Sequence, residues 1–201
     1  ALRMDWQEVL PAGECNYIMG NPPFVGYSLQ SKEQKADMLD IYVDEKGKSY
    51  KTAGKIDYVA GWYFKAAEYI QNTGVRTAFV STNSITQGEQ VAAVWKPLYD
   101  RFGIHIDFAW RTFIWNSESN EKAHVHCVII GFGCSDNNHM KNLYELSSPK
   151  MVKDINPYLV EGKPVFIEAR RKPICDVPVF VRGSQPTDDG NFIFTAEEKN
   201  V

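Results

Sequence analysis

An α/β fold is predicted for this 201-residue sequence by three observations. Short apolar runs of strand character (17–20, 75–80, 104–110 and 124–132) are separated by stretches of helical period. The order strand, helix, strand, helix, strand, strand is that of a sheet crossed by helices. A hydrophobic fraction of 44% supplies enough apolar side chain for one full core.

Residues 1–16 hold Asp5-Trp6 and then a turn at Pro11-Ala12-Gly13-Glu14. Tyr17-Ile18-Met19-Gly20 reads as a strand that stops abruptly at Asn21-Pro22-Pro23-Phe24. Ser31 and Gln34 have the spacing of a capping box, which predicts a helix to about Tyr42. The polar stretch 44–55 carries Lys46, Lys48, Lys51 and Lys55 around two glycines, and it reads as a solvated loop rather than a mobile lid. Ile56, Val59, Ala60, Tyr63, Ala66, Ala67 and Ile70 predict a helix of about fifteen residues, stopped at Asn72-Thr73-Gly74. After a strand over 75–80, the stripe Val91, Val94, Trp95, Leu98 and Phe102 predicts another helix. Pro97 is expected to kink or split it, and Gly103 to close it. Residues 104–110 alternate with period two and 124–132 are almost wholly apolar. The stretch 111–123 between them is expected to be a long aromatic loop. From residue 138 onward prolines punctuate short segments without helical period, so irregular structure is expected there.

A net charge of −3 confines any nucleic-acid affinity to local basic clusters or to parts of a longer polypeptide. Arg170-Arg171-Lys172 is the best phosphate-contact candidate, or else an ordinary exposed basic turn. Cys15, Cys127, Cys134 and Cys175 form no C-x-x-C pair and no signal peptide is present, the pattern of reduced thiols in a cytoplasmic protein. No apolar run reaches membrane-spanning length. His124 and His126 fall on one strand face and Cys127 on the other, too few converging ligands for a metal. Gly131-Phe132-Gly133 lacks the helix that should follow a glycine-rich cofactor loop.

The chemistry concentrates at Asn21-Pro22-Pro23-Phe24. Proline fixes its own φ and has no N–H, and it pushes the residue before it towards extended geometry. The turn is therefore stiff, and it gathers an amide oxygen, main-chain carbonyls and a ring face at a strand end. That set suits an exocyclic amine on a flat heterocycle. The Asn21 side-chain oxygen and the Pro22 carbonyl would accept its two N–H bonds and favour a tetrahedral, nucleophilic nitrogen. Phe24 would stack on the ring. A base inside a duplex would have to be flipped out to reach such a turn.

Asn-Pro-Pro-aromatic is the amino-methyltransferase motif, and the chain resembles the N6-adenine DNA methyltransferases. The likeness is to the large single-chain restriction–modification enzymes of type IIG/IIL. It continues through Ile155-Asn156-Pro157-Tyr158-Leu159, the 171–178 stretch from Arg171-Lys172-Pro173 to Pro178, and Gly183-Ser184-Gln185-Pro186.

The resemblance implies the C-terminal half of a Rossmann-like class I methyltransferase sheet over 1–135, and over 136–201 an irregular linker leading into a target-recognition domain. It implies S-adenosylmethionine as cofactor and double-stranded DNA as partner. Asn21, Pro22 and Phe24 become catalytic candidates. Asp5 would bond the cofactor's adenine amine, with Trp6 packed beside it and Asn21 shared between both ligands. Trp115, with Phe113 in reserve, would supply a second aromatic against the flipped adenine, and Arg170 and Arg171 would meet phosphate. The early glycine-rich strand–turn–helix of the family is absent, so the missing strands are expected elsewhere in the protein's own polypeptide. An RNA or protein-glutamine substrate, or a non-catalytic DNA-binding role, stays open.

Overall fold

A computed structural model describes residues 2–115, 125–135, 139–145, 148–170 and 175–177. The chain divides into two units, Ala1–Glu168 and Ala169–Val201. In the second, the described residues, among them Arg170, are exposed. The first unit is built on one six-stranded sheet in the order β1-β2-β4-β3-β5-β6. Its strands are β1 (Tyr17–Gly20), β2 (Arg76–Thr82), β3 (His105–Trp115), β4 (Val125–Gly133), β5 (Lys141–Glu145) and β6 (Ser148–Val152). β1 runs parallel to β2, and β4 lies antiparallel between β2 and β3. The α/β fold is therefore as the sequence predicts, and the antiparallel β3–β4 pair suits the Rossmann-like sheet that the resemblance implies.

The sheet does not stop at residue 133. β5 pairs in parallel with β3, and β6 returns antiparallel to β5, inside a stretch expected to be irregular. Pro149 is tolerated because β6 is an edge strand, where a missing N–H leaves no ladder partner unsatisfied.

Among the described residues four α-helices form: α1 (Trp6–Val9) ahead of β1, α2 (Lys32–Ile41) and α3 (Ala60–Tyr69) between β1 and β2, and α4 (Gly88–Phe102) between β2 and β3. Ser31 and Gln34 form the full reciprocal capping box at the head of α2. α3 is shorter than the periodicity suggested, and Asn72, at φ 59°, takes the left-handed stop. α4 is one continuous helix through Pro97, against the expected split. The lost hydrogen bond and ring clash cost about 3 kcal/mol. Burying Val91, Val94, Trp95, Leu98 and Phe102 at about 1.5–3 kcal/mol each outweighs that.

The core lies between these helices and one face of the sheet. Tyr63 of α3 meets Trp95 of α4 at 5.3 Å, Phe79 of β2 at 5.2 Å and Phe132 of β4 at 5.5 Å. The opposite face is largely open: Tyr17 is 70% and Met19 81% exposed. An open cavity of 390 Å³ there is lined by Met19, Arg76, Ala78, Phe108 and Lys141, among others.

Candidate active site

The turn Asn21-Pro22-Pro23-Phe24 leaves the C-terminal end of β1, an edge strand paired, among the described residues, with β2. Asn21 and Pro23 are exposed, Pro22 is buried and Phe24 is half-buried. On one side the turn is tied to the sheet, where Gly20 pairs with Phe79. On the other it is tied to residues 56–58. The Tyr58 N–H donates to the Val25 carbonyl at 2.9 Å, and the Tyr27 N–H donates to Asp57 Oδ1 at 3.0 Å. The buried Gln30 adds a bond from its Nε2 to the Ile56 carbonyl at 2.9 Å. The motif is thus held taut between two fixed points, with its amide outward.

The β3–β4 hairpin stands at the same end of the sheet. Register fixes its height: Gly20 is level with Phe79, Phe79 with Ile130, and Ile130 with Ala109. Beyond that level β3 continues to Trp115, which pairs with Val125. Residues 111–115 are therefore strand, where the sequence reading expected loop. Their aromatic and β-branched side chains suit a pleated surface, and a register shift between Trp110 and Phe113 absorbs the irregularity. Val125 lies five β4 residues past Ile130, so Trp115 stands about 17 Å beyond the root of the turn, and β3 lies about 14 Å to its side. Phe113 sits level with Thr82, through Cys127, and its ring is 6.4 Å from that of Trp115. Trp115 is 50% exposed. Trp110 is already engaged, stacked on Tyr144 at 5.0 Å and 4°. Residues 116–124 lie outside the described residues, as does Arg171.

Asp5 caps α1, its Oδ1 accepting from the Gln7 N–H at 2.8 Å. Trp6 packs edge-on to Tyr69 at 5.7 Å, with the Lys65 ammonium 5.7 Å above its ring. These contacts place Trp6 against the C-terminal half of α3. The turn after the motif is held just before the helix begins. Residues 43–49 close a small hairpin, with Asp44 Oδ1 accepting from the Lys46 and Lys48 N–H groups. Arg101, at the far end of α4, donates to the Val43 carbonyl. The lysines of that hairpin therefore sit away from the motif turn, as a solvated element.

Sequence reasoning missed Asp57, Ser84 and Gln90. Nothing in their spacing links them to one another or to the motif, since 27 and 33 residues separate Asp57 from the other two. The one available signal was a lone carboxylate set between Ile56 and the buried start of α3. Among the described residues no group of three His, Cys, Asp or Glu could hold a metal ion, and no helix is long and apolar enough to cross a membrane.

Comparison with known proteins accords with this geometry. Residues 1–145 match the family model described as the DNA-methyltransferase domain of MmeI. The chain is 42% identical over 200 residues to DNA methyltransferase A of Bacillus subtilis (strain 168), covering 98% of this chain and 22% of that protein. It is 50% identical to the type IIL restriction–modification enzyme MmeI, solved in complex with DNA, with a TM-score of 0.86 over 99% of this chain and 27% of that one. The chain thus spans about a quarter of the length of the relatives it matches. It belongs to the MmeI DNA-methyltransferase domain family.

Proposed function

We propose that the polypeptide to which this chain belongs methylates the N6 amine of an adenine extruded from double-stranded DNA, as part of a restriction–modification enzyme. In this reading residues 1–135 carry the catalytic motif and 136–201 lead towards target recognition. The observation that carries it is the exposed Asn21 on a turn pinned at both ends, in a chain half identical to a DNA-bound type IIL enzyme.

Asn21 Oδ1 and the Pro22 carbonyl accept the two N–H bonds of the amine, and Phe24 holds the heterocycle face-on. As the ring lone pair is drawn back onto nitrogen, those two acceptors bind the tetrahedral arrangement better than the flat one. S-adenosylmethionine supplies the electrophilic methyl group when bound. Held by Asn21 and Pro22, the amine would take that methyl group directly and pass its surplus proton to water, so these residues would form no covalent intermediate. The donor set of this chain fits such a cofactor on one side. The exposed Asp5 carboxylate is an acceptor for its adenine amine, Trp6 offers a ring next to it, and Asn21 faces both ligands. Phe113 and Trp115 form the opposite aromatic wall, and Arg170 with Arg171 meets phosphate. The free cysteines fit a reducing cytoplasmic setting.

Tritiated S-adenosylmethionine offered to the full-length protein with DNA, RNA or protein tests this reading. Label should appear in DNA alone and, after digestion, as N6-methyladenine. Label in RNA, in protein, or on cytosine would overturn it.

A further inference from the structure

The Asp57 carboxylate is buried, 7% exposed, and makes no ion pair among the described residues. Three neutral donors hold it instead. Oδ1 accepts from the Tyr27 N–H at 3.0 Å and from Gln90 Nε2 at 3.1 Å, and Oδ2 accepts from Ser84 Oγ. Gln90 closes the pair by accepting the Asp57 N–H through Oε1 at 3.2 Å. Ser84 Oγ also lies 2.9 Å from Thr82 Oγ1, at the end of β2. One carboxylate therefore joins three segments: the turn after the motif, the loop after β2 and the first turn of α4.

We infer that Asp57 is a positioning residue for the catalytic turn. The inference rests on the methyltransferase reading of that turn. Buried carboxylates are costly unless their hydrogen bonds are complete, and an acceptor of three bonds has one geometry that satisfies all its donors. That geometry fixes where Tyr27 stands. Only five residues lie between Asn21 and Tyr27, two of them prolines that transmit displacement stiffly. A shift of Tyr27 would thus reach the amide oxygen that receives the substrate nitrogen. Asp57 itself touches no substrate in this arrangement.

Aspartate rather than asparagine is not essential to the geometry. An asparagine oxygen would still accept from Tyr27, and its amide would donate to Ser84 Oγ, which can rotate to accept. Alanine would leave the Tyr27 N–H and the Gln90 Nε2 without this acceptor, and would leave Ser84 only its Thr82 contact.

Full-length Asp57→Ala, Asp57→Asn and the parent are compared by steady-state methylation and by amide exchange over residues 24–30. Asp57→Ala should lower kcat about a hundredfold, leave the KM for S-adenosylmethionine within about threefold, and speed exchange at Tyr27. Asp57→Asn should recover most of kcat and of the protection. If Asp57→Ala does not fold, Ser84→Ala takes its place and should show the same changes, reduced in size. An Asp57→Ala enzyme that melts earlier yet keeps the parental kcat, or Tyr27 protection that never changes, would overturn the assignment. A parent that modifies some other substrate would sink the adenine reading alone, because the exchange result still decides the positioning role.

Discussion

Phe108 lies across Gly131, its partner on the neighbouring antiparallel strand, so closely that a Cβ at residue 131 would stand 2.1 Å from Phe108 Cε1. The glycine at 131 seats an aromatic ring on the open face of the sheet, while Gly133, in the same strand, makes room for the Arg76 side chain. Gly131→Ala should destabilise the protein by about 1–3 kcal/mol, the usual range for overpacking. Adding Phe108→Ala should recover part of that loss, because the two positions are in contact and cannot be additive. Urea denaturation of the two single variants and the double variant measures the coupling; strict additivity would contradict the contact.

The Asn21 amide oxygen is proposed to act mainly in the transition state. In the full-length enzyme Asn21→Ala should therefore reduce turnover by about a hundredfold, the scale of one oriented hydrogen-bonding group, while cofactor affinity hardly moves. Single-turnover methylation and equilibrium binding give the two numbers. Parental methylation by the variant would remove Asn21 from the chemistry.

Phe24 is half-buried, leaving part of its ring available to stack. Stacking is worth about 1–3 kcal/mol per base, so Phe24→Ala should weaken methylation of a paired adenine, with tryptophan or tyrosine milder. A fluorescent adenine analogue at the target position reports extrusion directly. The same extrusion signal from Phe24→Ala and the parent would mean that the ring does not hold the base.

What the sequence made legible was local. The capping box at Ser31 and Gln34 and the strand before Asn21 are decided within a few residues, and both read correctly. Of the two outcomes expected at Pro97, a kink or a split, the split does not occur, because the local cost of the proline is outweighed by five buried side chains that only the tertiary packing brings together. Residues 111–115 looked like loop because their partner, Val125 to Cys127, is distant in sequence. Asp57 stayed hidden for the same reason. Its three donors come from three segments, and no periodicity records them.

Asp37 ties the N-terminal residues to α2 and α3. Burial alone would push its carboxyl upward, but hydrogen bonds from the Arg3 guanidinium and the Tyr58 hydroxyl prevail and hold it below its ordinary value of 3.8. Burial and the Asp37 bond push the Tyr58 hydroxyl the other way, to about 12. A folded pKa below the unfolded one means that the unfolded chain binds the proton more readily. The Asp37 contribution is thus complete above about pH 4 and fades as pH falls through the depressed value. Asp37→Asn should lower the melting temperature at neutral pH and flatten its acid limb. An unchanged acid limb would show that the Arg3 pair contributes nothing to stability.

The open face of the sheet carries the last expectation. Tyr17 and Met19 project from an edge strand, and Met151 is 64% exposed on β6 at the other edge. Sheets crossed by helices bury both faces, and an unpaired strand edge invites a further strand. The relatives this chain matches are about four times its length, ample for covering segments. The 201-residue polypeptide expressed alone should therefore self-associate at micromolar concentration, and it should bind S-adenosylmethionine only weakly, because the function proposed above assigns it only the Asp5 and Asn21 side of the pocket. Replacing Met19 with lysine should shift the equilibrium towards monomer without changing the fold, since that side chain is 81% exposed. Light scattering and calorimetry with the cofactor read both properties. A clean monomer with micromolar cofactor affinity would show that this face needs no cover and that the pocket is complete within these residues.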